Sequence, residues 1–310
     1  MDEATIARFR TDWAAVLADE GGRYALAVSG GPDSLGLLCL GAAAFPGRVM
    51  AATVDHGLRA GSAEEASMVA EACRGLAVPH ATLRVSVEPS GEGVQAAARR
   101  VRYDVLAAWA EAAGAGALAT AHHLDDQAET VLMRLARGSG AGGLAGIRGS
   151  RPLTPRVRLV RPLLGWRKAE LGEVVRTAGM RAADDPSNRD TAHDRTHARA
   201  LLAREPLLEP ARLAAVAGAL ADAEEALDWT AKALLAERVG DDGGTADVAG
   251  LPRELRRRLL ALLLPDARGD ALVRLLDRLD AGVGGTLGDR LVRAEGKVWR
   301  IGPAPPRRTG

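Results

Sequence analysis

The first two thirds of the chain alternates short apolar runs with longer segments whose apolar residues recur every three or four positions. Runs at 24–28, 48–54, 80–85 and 117–121 are bounded by Gly, Pro, Asp or His, as buried strands are. Between and around them, 6–17, 35–44, 62–75, 93–113 and 125–137 carry helical spacing, and Ser62 with Glu65 forms a capping box at the head of one of these segments. This alternation predicts an α/β fold with a doubly wound, mainly parallel sheet, in which ligands bind at the carboxyl ends of strands. A fifth strand over 157–164 and helices over 166–178 and 191–203 are expected to follow, and the glycine-rich stretch 138–143 is expected to be a mobile loop. The first helix, 6–17, is expected to pack across the sheet edge.

Glu205-Pro206 and Glu209-Pro210 interrupt the pattern and predict a domain boundary, giving a first domain over 1–205 and a second over 206–310. Helical spacing at 211–236, 253–264 and 271–280, with a hairpin at 290–293 and 298–301, makes the second domain smaller and mainly helical. The tail from about 303 reads as disordered.

Composition narrows the setting. The longest dense apolar run, 259–264, stops at Pro265, far short of a membrane span, and the N-terminus lacks the order of a signal peptide. Cys39 and Cys73 sit inside apolar helical patterns, as buried thiols do, so a cytoplasmic protein is expected. The net charge of +1 conceals an uneven distribution. Residues 148–199 hold twelve Lys or Arg against six Asp or Glu, and 253–308 hold thirteen against seven, whereas 205–228 holds one against six. Two basic regions far apart in the chain suit a polyanion larger than a nucleotide. Aromatic residues are 3% of the chain, too few for a stacking platform along an extended strand, so contact with the backbone of a folded RNA suits the charge better. Trp166 and Trp299 read as core residues.

Two motifs carry chemistry. Ser29-Gly30-Gly31-Pro32-Asp33-Ser34 joins the first strand to the first helix of the sheet. Adjacent glycines let the backbone approach an anion, and a helix start behind them presents unpaired N–H groups and a positive dipole end, so phosphate is the ligand this segment suits. No Lys follows, which sets it apart from the common Gly-x-x-x-x-Gly-Lys loop. The second motif, His122-His123-Leu124-Asp125-Asp126-Gln127-Ala128-Glu129-Thr130, directly follows the fourth strand. On a helix Asp126, Glu129 and Thr130 share one face, and carboxylates there suit a Mg²⁺ ion bridging nucleotide phosphates. A plainer alternative is that the two Asp only complement the helix dipole.

The first motif meets every fixed position of the Ser-Gly-Gly-x-Asp-Ser loop of the PP-loop, N-type ATP pyrophosphatases, which it therefore resembles. The second is similar to the Ala-His-His-x-x-Asp-Asp-Gln-x-Glu-Thr pattern of the tRNA(Ile)-lysidine synthetases, as are Val54 through Arg59, the Gly93, Ala98, Arg99, Arg102 and Tyr103 series, and Arg161 through Leu164. The resemblance runs from about 24 to 199 and is faint beyond; Thr196 stands where Asn is usual, and the chain looks like a short form of the family. What it implies is a PP-loop ATPase, Rossmann-like fold and a two-step reaction. ATP adenylates the C2 oxygen of the wobble cytidine of a tRNA(Ile) with a CAU anticodon, and L-lysine then displaces AMP. The implied cofactors are ATP and Mg²⁺. By the same resemblance Ser29, Gly30, Gly31, Pro32, Asp33 and Ser34 hold the phosphates, Asp33 and Asp126 hold Mg²⁺, and Asp55 and His56 meet the nucleotide. Asp33, Asp126, Glu129 and Arg102 are the candidate catalytic residues, Glu129 as a proton acceptor, and Arg99, Arg137, Arg195 and Arg199 the candidate tRNA contacts. The oligomeric state is open, a homodimer included. An amide ligase like NAD synthetase, or a nucleotide- or RNA-binding module without chemistry, is the rival reading; two intact motifs speak against the module.

Overall fold

The computed structural model describes residues 1–18, 21–55, 62–85, 94–183, 194–240, 243–267 and 269–305. They form two compact units, Met1–Leu220 and Ala221–Gly310. Among them, no helix is long and apolar enough to cross a membrane.

In the first unit α1 (Glu3–Val16), β1 (Arg23–Ala27), α2 (Pro32–Ala44), β2 (Val49–Asp55), α3 (Ser62–Gly75), β3 (His80–Arg84), α4 (Val94–Ala112) and β4 (Ala115–Ala119) follow one another. Then come α5 (Leu124–Ala136), α6 (Ala141–Leu144), β5 (Ser150–Pro152), β6 (Arg158–Val160), α7 (Lys168–Thr177) and α8 (Asp194–Arg204). The helix α9 (Pro210–Arg238) contains the boundary between the units. The sheet runs β3-β2-β1-β4-β6-β5, parallel except for the last pair. The chain leaves β1 toward β2 and β3, then returns to lay β4 on the other side, so the strand order switches between β1 and β4. At such a point the loops diverge and leave a crevice.

Side chains alternate along β1 as the pleat requires. Tyr24, Leu26 and Val28 enter the core under α2, α3 and α7, while Ala25 and Ala27 face Leu106 and Ala110 of α4. The helix α2 is apolar around its circumference, Leu35, Leu37, Leu38 and Leu40 being fully buried, because it lies between the sheet and α7. A Cβ at Gly41 would stand 2.9 Å from Leu26 Cδ1, so glycine sets how closely this helix meets the sheet. α1 packs on α2 rather than across a sheet edge, burying Phe9 and Trp13 against Tyr24, Phe45 and Trp166. Cys39 and Cys73 are buried free thiols.

Two expectations change. The fifth strand shrinks to β6, because Pro162 has no N–H to carry the ladder on, and the antiparallel β5 joins it at the edge, ending in Pro152. The glycine-rich segment contains α6 and is tied to α5: Arg134 Nη1 donates to the carbonyls of Gly143 and Gly146 at 2.7 and 2.9 Å.

The second unit holds β7 (Thr245–Asp247), α10 (Arg253–Leu263), α11 (Asp270–Asp280), β8 (Gly285–Leu287), β9 (Arg290–Glu295) and β10 (Val298–Pro303). The expected hairpin is β9 and β10, widened by short strands into an antiparallel sheet ordered β7-β10-β9-β8. Trp299, Leu276 and Leu259 centre its core. Arg258 is buried there against Glu224, Asp228 and Glu254, the charge being matched within the unit.

Candidate active site

The site begins where β1 stops. Gly30 takes φ +87°, which favours glycine, and a Cβ there would press on Met68 Cε at 3.2 Å, so the methionine would have to shift as well. Gly31 is the N-cap of α2 without a side-chain cap, and Pro32 occupies the first turn, where its missing N–H costs nothing. The N-terminal amides of α2 therefore face the crevice without a capping side chain, which is the arrangement that binds phosphate. Ser34 Oγ folds the loop on itself, donating to Gly31 O at 3.0 Å and accepting from Ser29 N at 3.1 Å. Asp33 Oδ1 is buried without a hydrogen-bond partner among the described residues, while Oδ2 lies 3.5 Å from His123 Nε2.

The second motif starts α5 with a reciprocal cap built on histidine. His123 Nδ1 accepts from Asp126 N at 3.2 Å, and Asp126 Oδ2 accepts from His123 N at 3.1 Å. That leaves Nε2 to face Asp33. Burial disfavours the imidazolium of His123, but the hydrogen bond to Asp33 and the charges of Asp126, Asp33 and Asp125 outweigh it and raise its pKa. Asp125 turns outward instead, accepting from Lys168 N at 2.8 Å and pairing with Arg167 Nη2 at 3.0 Å at the start of α7.

Asp126 and Glu129, one turn apart, both meet α8. Arg195 Nη2 reaches Asp126 Oδ1 at 2.6 Å and Arg195 Nε reaches Glu129 Oε2 at 2.7 Å; Arg199 Nε takes Glu129 Oε1 at 2.8 Å. Glu129 is buried and has both oxygens engaged, which leaves it badly placed to accept a proton. Burial works against the Arg195 cation, and the two carboxylates more than compensate, leaving its pKa raised.

A cavity of about 430 Å³ opens between these elements at the ends of β1 and β4. One wall is the phosphate loop with Asp33 and Asp126; the other is basic, with Arg99, Arg102 and Tyr103 of α4. His122 lies between them, its Nδ1 3.0 Å from Thr120 Oγ1. Its pKa is pushed down to about 3, first by burial and then by the charges of Arg161, Arg99, Arg195 and Arg102. Neighbouring histidines thus have opposite tendencies, His123 toward the cation and His122 toward the neutral ring.

The structure brings Ser29, Gly31, Asp33, Ser34, Arg99, Arg102, Asp126 and Arg195 to one cavity, with Gly30 and Pro32 in the same loop. Glu129 and Arg199 stand directly behind Asp126 and Arg195. Asp55 ends β2, its carbonyl accepting from Val85 N at 2.9 Å, and does not line the cavity; His56 lies outside the described residues. Arg137 caps the far end of α5 and pairs with Asp194 on the exterior. Sequence reasoning gave no role to His122, His123, Tyr103 or Arg161, although each falls within a motif it quoted. The doubled histidine after a strand was the available signal.

Comparison with known proteins gives the family and the fold. A sequence model of the PP-loop domain matches residues 3–205. The chain is 44% identical to the tRNA(Ile)-lysidine synthase of Zymomonas mobilis, covering 93% of this chain and 90% of that one. It is 45% identical to that of Novosphingobium aromaticivorans, covering 97% and 94%. Among solved structures, the U34-tRNA thiolase NcsA of Methanococcus maripaludis superposes with a TM-score of 0.56 at 16% identity, covering 71% of this chain and 80% of that one, a likeness of fold.

Proposed function

The chain belongs to the tRNA(Ile)-lysidine synthase family of PP-loop enzymes, and on that premise we propose how its residues divide the reaction. It is an ATP-dependent ligase acting on tRNA(Ile). The C2 oxygen of the wobble cytidine bonds to the α-phosphorus of ATP as the bond to pyrophosphate breaks. The side-chain amine of L-lysine then bonds to C2, the bond to the AMP oxygen breaks, and the amine proton is lost. Activating the oxygen first is what makes a poor electrophile accept an amine.

The loop 29–34 and the start of α2 take the phosphates through backbone N–H groups and the helix dipole. Arg102 lies across the cavity, placed to meet the charge that develops on the transferring phosphorus. The backbone near Asp55, with His56, receives the adenine. The carboxylates suit a Mg²⁺ ion carried in with the nucleotide. Asp33 offers a buried oxygen without a partner among the described residues, a donor that an ion carried by the nucleotide could take. Asp33 and Asp126 would hold it, Asp126 sharing its charge with Arg195; so held, it would supply positive charge beside the departing pyrophosphate. Glu129 holds Arg195 and Arg199 in place rather than taking the amine proton. These two arginines, half exposed, and Arg99 and Arg137 meet tRNA, and the basic residues beyond 206 extend that contact over the second domain.

The observation that carries this reading is the cavity's division into a phosphate loop with a carboxylate oxygen that has no partner among the described residues and a wall with Arg99 and Arg102, which pair with no carboxylate among the described residues. It is tested by incorporation of labelled L-lysine into a tRNA(Ile) transcript with a CAU anticodon, with ATP and Mg²⁺, against a tRNA(Met) control. Label in tRNA(Ile) alone supports it; cleavage of ATP to AMP and pyrophosphate without lysine transfer overturns it.

A further inference from the structure

The basic wall of the cavity continues outward around one aromatic ring. The guanidinium of Arg99 stands 5.2 Å from the ring centre of Tyr103, and that of Arg151, from the edge strand β5, stands 5.7 Å from it. Arg161, next to Pro162 after β6, is buried beside Tyr103, which acts on its charge. Its Nη1 donates to Arg148 O at 2.6 Å, while its Nε is buried without a partner. Arg102, one residue before Tyr103, completes the group. Among the described residues, none of Arg99, Arg102, Arg151 and Arg161 has a carboxylate within ion-pair distance, whereas Arg167, Arg195 and Arg199 nearby are all paired.

Four like charges around one phenol repel each other. Burial and, among other causes, the charge of Arg99 lower the pKa of both Arg102 and Arg161, and Arg151 adds to the effect on Arg161. Burying a cation without a counter-charge costs several kcal/mol, and rings and carbonyls repay only part of it. Such an arrangement is favourable when a ligand brings the anion. Two ligands of the proposed reaction carry phosphate, ATP and RNA. The phosphate loop already supplies a site for the triphosphate on the opposite wall. Arg99 and Arg151 are exposed, so the cluster extends from the cavity to the surface, as a continuing polymer backbone needs and a nucleotide does not.

We propose that Tyr103, Arg99, Arg151 and Arg161 form a phosphodiester-binding subsite that holds the RNA backbone beside the reacting base. This deepens the proposed function and rests on it. Tyr103 is the organising group, its ring facing the guanidiniums of Arg99 and Arg151, with the buried Arg161 beside it.

The test uses the full chain and measures dissociation constants for tRNA(Ile) from low to moderate salt, alongside binding of a non-hydrolysable ATP analogue without tRNA. Each phosphate contact on a single-stranded loop contributes about 0.7 to the slope of log K against log salt. Arg151→Gln is expected to flatten the tRNA slope by about that amount and to leave binding of the analogue unchanged, while Arg151→Lys retains the slope. Tyr103→Phe, which keeps the ring and removes the hydroxyl, is expected to weaken tRNA several-fold without moving analogue binding. An unchanged slope in Arg151→Gln, or a loss confined to the ATP analogue, overturns the subsite. Failure of the unaltered protein to bind tRNA(Ile) would overturn the function reading itself, so the two failures are distinguishable.

Discussion

Gln127, inside the second motif, braces the glycine-rich segment beside the site, and the brace has a measurable signature. Its Oε1 accepts from Ile147 N at 2.6 Å and its Nε2 donates to Ile147 O at 3.2 Å. Gly146, at φ +65°, passes so close that a Cβ there would stand 2.5 Å from Gln127 Oε1 and 2.8 Å from its Cδ. Gly146→Ala therefore combines left-handed strain of about 1–2 kcal/mol with expulsion of the amide, two hydrogen bonds at about 1 kcal/mol each. The total is about 3–4 kcal/mol. Gln127→Ala loses the same two bonds, about 2–3 kcal/mol with the space left behind. In the Gln127→Ala background the alanine at 146 meets no amide, so only the backbone strain remains and the double variant should lose about 3–5 kcal/mol, roughly 2 kcal/mol less than the sum of the singles. Hydrogen exchange of the peptide over 138–149 is the assay, because opening of one segment need not follow global unfolding in a chain of two compact units. Additivity of the two changes within about 0.5 kcal/mol would refute the brace.

Other outcomes follow from the same geometry. Asp33→Asn should abolish pyrophosphate release while tRNA affinity stays within about twofold, read by single-turnover assay and filter binding; normal turnover would remove Asp33 from the mechanism. Arg199→Ala leaves the buried Glu129 with one partner fewer, so urea unfolding should show a loss of about 1–3 kcal/mol; an unchanged midpoint would make the pair dispensable. His122 has a depressed pKa in the folded state, so as pH falls below about 6.5 the unfolded chain gains a proton that the folded one refuses. Its contribution destabilises the fold progressively from there down to about 3, and His122→Gln should remove that part of the decline; identical pH profiles would contradict the assignment.

Much of this architecture was legible in the residue pattern because it rests on local rules. The short apolar run at 24–28, the helical spacing over 35–44 and the paired glycines between them specify a buried strand, a tight turn and a helix start suited to phosphate. Asp126 and Glu129 were readable as one face from their spacing alone. The second unit was less legible: β7 and β8 are three residues each, too short to show a period, and β7 gains its ladder only from β10, far along the chain. The glycine-rich segment read as mobile because Gly signals freedom locally, while the groups that hold it, Gln127 and Arg134, come from another element.

What the sequence by itself determined is the α/β class, the phosphate loop and the family to which the chain belongs, since each depends on residues close together in the chain. The tertiary structure decided which charges are paired. α8 carries Arg195 and Arg199 onto Glu129, sixty-six and seventy residues away, while β5 and the segment after β6 bring Arg151 and Arg161 to Tyr103 with no carboxylate among the described residues. Spacing along the chain cannot distinguish a neutralised arginine from an unpaired one, because a charge acts through space, and burial sets how strongly it is felt.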